Sequence, residues 1–149
     1  MKNIAPDLLR LFREGYCTPQ IARIARKLKE PSTTIHYNIK KLEREGVIRT
    51  YKAVLDHSKI EEGFCVHILI NLSPDEYGDP ERLAKDIAKH PRVESVDICT
   101  GDWELLVKTR AKDQEDYFAF VKQVLSKKGI AHVKSIISLK QVKSEFTTP

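Results

Sequence analysis

Cysteine is scarce and poorly placed for a covalent or metal scaffold. Cys17, Cys65 and Cys99 are an odd number, and no two of them stand in a CxxC spacing. That pattern excludes a disulfide framework and a zinc ribbon, and it fits a reducing cytosol. No apolar run approaches the roughly 20 residues a bilayer span requires, and no basic-then-apolar segment opens the chain, so cytoplasmic residence is expected. A glycine-rich phosphate loop, a GxSxG elbow and a kinase signature are all missing. The histidines His36, His57, His67, His90 and His132 have no HxxxH or CxxC companions, so neither a metal nor a cofactor is expected. Acids are plentiful, but no pair stands in an evident apolar cleft that would raise a pKa, and an enzyme is not expected.

What is present is ordinary for a globular chain: 149 residues, 41% hydrophobic and 32% charged. That length allows one domain or two small ones. The many charges and the single methionine suit an archaeal or heat-adapted source. The charge is uneven. Residues 1–63 hold 13 Lys/Arg against 8 Asp/Glu, whereas residues 64–149 hold 13 of each. A basic part joined to a neutral one suggests a polyanion-binding module attached to a second function.

Three helical patterns fill the basic part. Ile4, Leu8, Leu11 and Phe12 recur at helical spacing, with Gly15 placed to end the helix. Thr18 is expected as the next N-cap, with Pro19 at the first helical position and Ile21, Ile24, Ala25 and Leu28 as one apolar stripe. A third helix starts around Pro31–Ser32, carries Ile35, Ile39 and Leu42 on one face, and stops at Gly46. Short helices with brief connectors make a helix-turn-helix arrangement. The opposite face of the third helix presents Ser32, Thr33, His36, Tyr37, Lys40 and Arg44, all able to bond base edges or phosphates. The segment 18–52 holds nine Lys/Arg and three acids. A solvated helix face is polar in any protein, but the three-helix context and the charge asymmetry together favour DNA binding, with the helix start facing bases and the flanking cations facing phosphates. Val47 to Leu55 is rich in β-branched and aromatic residues and reads as a strand, and Asp56 to Gly63 as a linker. Residues 1–60 are thus expected to form the DNA-binding domain, and 64–149 a second one.

That second part reads βαββαβ, the split pattern of a ferredoxin-like sandwich. Phe64 to Leu72 is a nearly continuous apolar strand, Pro80 to Ala88 a helix closed by His90–Pro91, and Val93 to Thr100 a strand. Gly101–Asp102 marks a hairpin turn, followed by a strand over Trp103 to Thr109. Asp113 is expected to cap a helix running to Lys128 that buries Tyr117, Phe120, Val121, Val124 and Leu125; Gly129 ends it, and Val133 to Val142 is the last strand. The fold class is therefore α+β. Helices cover only one face of such a sheet, yet the first strand is apolar on both, so a dimer formed by two sheets packing together is expected.

Ser32-Thr33-Thr34-Ile35, then KKLEREGVIRTYKAVLD over Lys40 to Asp56, and downstream Cys99-Thr100-Gly101-Asp102-Trp103-Glu104-Leu105-Leu106-Val107, resemble the Lrp/AsnC family of bacterial and archaeal transcription regulators, the feast/famine type. The resemblance runs in order along nearly the whole chain. It implies a helix-turn-helix head and an effector-binding and oligomerisation domain, with dimers assembling into tetramers, octamers or rings. It also implies an amino acid or related metabolite bound near the Gly101–Asp102 turn, between dimers. On that basis Ser32, Thr33, Thr34, His36 and Tyr37 are expected at the DNA with Lys40, Lys41, Arg44 and Arg49, and Gly101, Asp102, Trp103 and Glu104 at the effector. Two positions depart from the family pattern: Pro31 stands where a serine cap is usual, and Asn38 where a basic residue is common. Asn38 could read adenine or simply pack. Read from residues alone, Gly-Asp is also an ordinary hairpin turn, and Trp103 a core or interface filler.

Two other functions remain open at this level. An architectural DNA-binding protein would use the same cations with little sequence preference and no effector. Sirohaem decarboxylases resemble this family and use a His/Tyr/Arg-rich segment, but here Tyr77, His90 and Arg92 are spread across a loop and a helix end.

Overall fold

The computed structural model describes residues 3–76 and 78–144. It divides into two compact units, Met1–Leu55 and Asp56–Pro149. The division sharpens the charge asymmetry, because residues 1–55 hold 12 Lys/Arg and 5 Asp/Glu whereas residues 56–149 hold 14 and 16.

The first unit consists of helices α1 (Ala5–Arg13), α2 (Ile21–Leu28) and α3 (Ser32–Arg44). Gly15 and Gly46 take positive φ, as expected of residues that close helices. Gly15 has a second reason to be glycine: a Cβ there would lie 2.8 Å from Thr50 Oγ1 and 3.3 Å from the Tyr51 carbonyl oxygen. The expected cap at Thr18 is not used. Gln20 has ψ 88° and caps instead, its carbonyl accepting from the Arg23 and Ile24 amides, so α2 begins where the Ile21–Ile24–Ala25 stripe begins. Val47 to Leu55 is not a strand in this structure. Its residues favour extended backbone, but among the described residues of this unit there is no other strand to complete a ladder. Tyr51 Oη donates to Glu43 Oε1 at 3.1 Å and holds the segment to α3. Ala25 and Ile35 are buried, whereas Ile4, Leu8, Leu28 and Leu42 of the expected apolar stripes are exposed.

The second unit is the expected ferredoxin-like sandwich: β1 (Phe64–Leu72), α4 (Pro80–Ala88), β2 (Val93–Ile98), β3 (Leu105–Ala111), α5 (Gln114–Phe120) and β4 (Ile130–Ile137). The sheet is antiparallel with order β2-β3-β1-β4. Val66, Ile68, Ile70 and Leu72 alternate onto one face, where Leu83 and Ile87 of α4 and Tyr117 and Phe120 of α5 cover them. Asp113 caps α5 by accepting from the Asp116 amide. That helix does not continue to Lys128: it widens into a π turn at Val121–Leu125, which still buries Val124 and Leu125 but leaves Val121 partly exposed.

Strand limits moved wherever pairing, not propensity, sets them. β4 starts after Gly129 (φ +103°) and stops at Ile137, which pairs with Val66 near the start of β1. Beyond that β1 offers the Cys65 carbonyl to Ser138, and little more. The β2–β3 connection is wider than a two-residue turn, occupying residues 99–104, so β2 ends at Ile98 and β3 runs on to pair Ala111 with Phe64.

The other sheet face is less apolar than the first strand alone suggests. Leu69, Leu106 and Ile136 point that way, but so do His67, Lys108, Arg110, His132 and Lys134. The expected linker at 56–63 also belongs to this unit, with a short helical turn at His57–Lys59 whose His57 ring lies 3.6 Å from Glu94.

Candidate functional site

α3 is positioned by its apolar side. Buried Ile35 and half-buried Ile39 fix which face turns inward. Ser32, Thr33, Thr34, His36, Tyr37, Lys40, Lys41 and Arg44 are all exposed, Tyr37 to 64%. Arg49 is exposed too, past the Gly46 stop. An imidazole, a phenol and hydroxyls at the start of a helix, with cations further along, can bond base edges and phosphates respectively.

The cations are not equivalent. Lys40 Nζ lies 2.7 Å from Glu43 Oε2, and Lys41 Nζ 3.9 Å from Glu45 Oε1. The hydrogen bond from Lys40 holds the Glu43 carboxyl below its usual range, against a smaller opposing effect of burial and with help from Tyr51. A phosphate approaching Lys40 or Lys41 would have to compete with these carboxylates. Asn38 is already engaged: its Nδ2 donates to the Thr34 carbonyl oxygen at 2.8 Å within the helix.

In the second unit the β2–β3 loop is a built object. Gly101 has φ +105°, and a Cβ there would meet nothing within 4 Å. Glycine is therefore required by backbone conformation and not by crowding. The loop is closed by the Cys99 amide donating to the Glu104 carbonyl at 2.8 Å. The Glu104 carboxylate accepts from the Leu72 amide at 2.9 Å and from Asn71 Nδ2 at 3.3 Å. The same Asn71 amide donates to the Asp102 carbonyl oxygen. The Leu72 amide holds the Glu104 carboxyl below its usual range, overcoming some burial and assisted by Asn71. Glu104 is thus a tie between β3 and β1 that fixes the loop, while Gly101 and Asp102 are exposed at its tip and Trp103 is half-buried beside it. Of the expected effector residues, Asp102 is the carboxylate turned to solvent. Sequence reasoning missed Asn71, although a lone amide inside FCVHILINL was a signal in plain view.

A second polar cluster covers one end of the outer sheet face. Arg110, 5% exposed, donates through Nε to Glu94 Oε1 and through Nη2 to Gln141 Oε1 at 2.7 Å. Lys108 Nζ lies 2.8 Å from Glu94 Oε2. Gln141 in turn donates to the Cys65 sulfur at 3.5 Å.

The residues considered for tetrapyrrole chemistry have other work. The His90 ring packs edge-on to Phe120 with centroids 4.9 Å apart, and its Nδ1 accepts from the Arg92 amide. The Arg92 guanidinium pairs with Asp116. Tyr77 lies outside the described residues. Among the described residues, no helix is long and apolar enough to cross a membrane.

Comparison with known proteins gives a consistent result. The family described as the Lrp/AsnC ligand binding domain matches residues 65–148. An HTH-type transcriptional regulator of Pyrococcus furiosus is 34% identical over 146 residues, covering 97% of this chain and 94% of that protein. A second, from Pyrococcus abyssi, is 36% identical over 127 residues, or 85% of each chain. Among solved structures, an AsnC family transcriptional regulator from Agrobacterium tumefaciens superposes with a TM-score of 0.79 at 27% identity, covering 100% of this chain and 97% of that one. A Neisseria meningitidis transcriptional regulator solved in complex with L-Met has the same fold, with a TM-score of 0.76 at 23% identity over 100% of this chain and 96% of that one.

Proposed function

This chain belongs to the Lrp/AsnC family of helix-turn-helix transcription regulators, and from that premise we propose that it binds specific DNA sites in a manner governed by a small amino-acid-like effector. Ser32, Thr33, Thr34, His36 and Tyr37 read bases, while Arg44 and Arg49, with Lys40 and Lys41 once released from their glutamates, hold phosphates. The effector sits at the β2–β3 loop. Gly101 lets backbone N–H groups approach a carboxylate, and the Asp102 side chain pairs with an α-ammonium group. The working unit is a homodimer, joined through the part of the outer sheet face that carries Leu69, Leu106 and Ile136, and dimers associate further. Effector binding between dimers changes their spacing and so which DNA half-sites are engaged together. That coupling requires the effector to bind one assembly state more tightly than the other.

One observation carries this reading. The loop lies inside the matched ligand-binding domain, and two residues of β1 tie it down while leaving its Gly-Asp tip exposed. The L-Met complex of the Neisseria protein suggests the class of ligand to try first. The test is thermal unfolding with a panel of amino acids. At a concentration about 100 times Kd, a ligand that binds only the folded state adds about 2.7 kcal/mol of stability, which at this chain size raises Tm by several degrees. At least one amino acid should do this, and Glu104→Ala should lose the response while remaining folded. No shift with any amino acid would refute the effector reading.

A further inference from the structure

One row of residues crosses the whole outer face of the four-stranded sheet. Asp97 of β2 stands opposite Leu106 of β3, Leu106 opposite Leu69 of β1, and Leu69 opposite Lys134 of β4. The order is acid, leucine, leucine, base. Directly opposed residues share a sheet face, and Leu69 points away from the core because Ile68 and Ile70 beside it point in. Both leucines are half-buried, and both charged residues are exposed.

Inside one copy the two charges cannot meet. Three strand spacings separate Asp97 from Lys134, about 14 Å. Among the described residues neither of them meets an opposite charge. Lys108 and Arg110 of the same face differ in this, because both are matched within the copy by Glu94.

The order of the row decides how such a face can meet itself. Two stacked sheets lie about 10 Å apart, and a two-fold axis between them runs either across the strands or along them. An axis across the strands at this row lays Asp97 over Asp97 and Lys134 over Lys134, setting like charges together. An axis along the strands, between β3 and β1, reverses the row on itself. Leucine then lies over leucine, and Asp97 over the Lys134 of the other copy. That contact occurs twice, as a two-fold interface requires.

We infer that two copies of this chain pack through this face about a two-fold axis parallel to the strands, with Asp97 of each copy paired to Lys134 of the other. This rests on the homodimer reading above and adds to it the symmetry axis and a residue pair that sets the register. The leucines supply the apolar contact, and the charges at the two sheet edges select the orientation, since like charges brought together across an interface are costly.

The experiment uses the full chain and reverses the charges: Asp97→Lys alone, Lys134→Asp alone, and the two combined. Sedimentation over a dilution series at low salt follows dissociation of the dimer. Native mass spectrometry follows pairing in an equimolar mixture of the two single variants. Each single variant sets like charges together twice, so its dissociation constant should rise at least about tenfold. The combined variant should return to within about threefold of the unaltered protein. In the mixture every contact again joins opposite charges, so mixed dimers should well exceed the half that random pairing gives. These differences should shrink at high salt. Single variants that dimerise normally and mix at random would overturn the pairing while leaving a homodimer of another register. A loss that neither the combined variant nor mixing restores would overturn it too, since the two charges would then not be partners. An unaltered protein that stays monomeric at micromolar concentration would overturn both readings.

Discussion

Replacing His36 and Tyr37 together by alanine is expected to erase most of the preference for an operator over a scrambled duplex, a loss of about 10- to 100-fold in the affinity ratio. Both side chains are exposed near the start of α3, and a lost base-edge contact is worth about 1–3 kcal/mol of discrimination. Stability should hardly change, because neither side chain is buried. Arg44→Ala makes the contrast. Arg44 is exposed in the last turn of α3, so its loss should weaken binding to both duplexes equally and lower the salt slope by about 0.9. Lys40→Ala should do less than Arg44→Ala, because Lys40 already has Glu43 as a partner. Filter or anisotropy binding across a salt series measures all of these. Identical behaviour of the aromatic pair and Arg44 would show that the roles along α3 are misassigned.

The largest expected effect on stability comes from the Glu94 cluster. Glu94→Ala leaves the Arg110 guanidinium, on a side chain only 4% exposed, with Gln141 but without its carboxylate. Breaking a buried pair from one side costs about 3–5 kcal/mol, and the lower end applies because Glu94 itself is partly solvated. Replacing both partners, Glu94→Leu with Arg110→Met, should cost much less, since no charge is stranded. The cluster also sets a pH dependence. Burial alone would raise the Glu94 carboxyl, but Lys108 and Arg110 outweigh it and hold it below the usual range. A carboxyl lowered in the folded state contributes stability that is full above its unfolded pKa, about 4.3, and is lost as the pH falls through the folded value. Chemical denaturation should therefore show the gap between wild type and Glu94→Gln widest at neutral pH and closing below about pH 4. A gap that stayed constant on acidification would mean the pair is not what stabilises this end of the sheet.

The elements legible in the sequence were those defined by their own side chains. Phe64–Leu72 and Pro80–Ala88 stand where the apolar pattern put them, and Asp113 caps the helix it precedes. The third helix likewise runs from Ser32 to its stop before Gly46. What the sequence hid depends on partners far along the chain. The β propensity of Val47 to Leu55 produces no strand where the described residues of its unit include no other strand to pair with, and β4 ends where β1 runs out.

The same reason limits the candidate site. Glu104 was expected at the effector, and nothing in its neighbours reveals that the Leu72 amide, 32 residues earlier, donates a hydrogen bond to its carboxylate. The Glu94–Arg110–Gln141 cluster joins β2, β3 and the chain after β4, and no local pattern announces it. The exposed face of α3 was legible because a helix with one apolar side dictates what the other side shows.

On the proposed reading, DNA recognition through α3 answers to a small molecule at the β2–β3 loop. Fluorescence anisotropy tests it most directly, comparing the DNA upstream of the protein's own gene with a scrambled duplex of equal length, across a salt series, with and without pooled amino acids. The expected result is a strong preference for the upstream DNA that the pool shifts. Equal, steeply salt-dependent binding to both duplexes, unmoved by the pool, would contradict it and make the protein an architectural DNA binder.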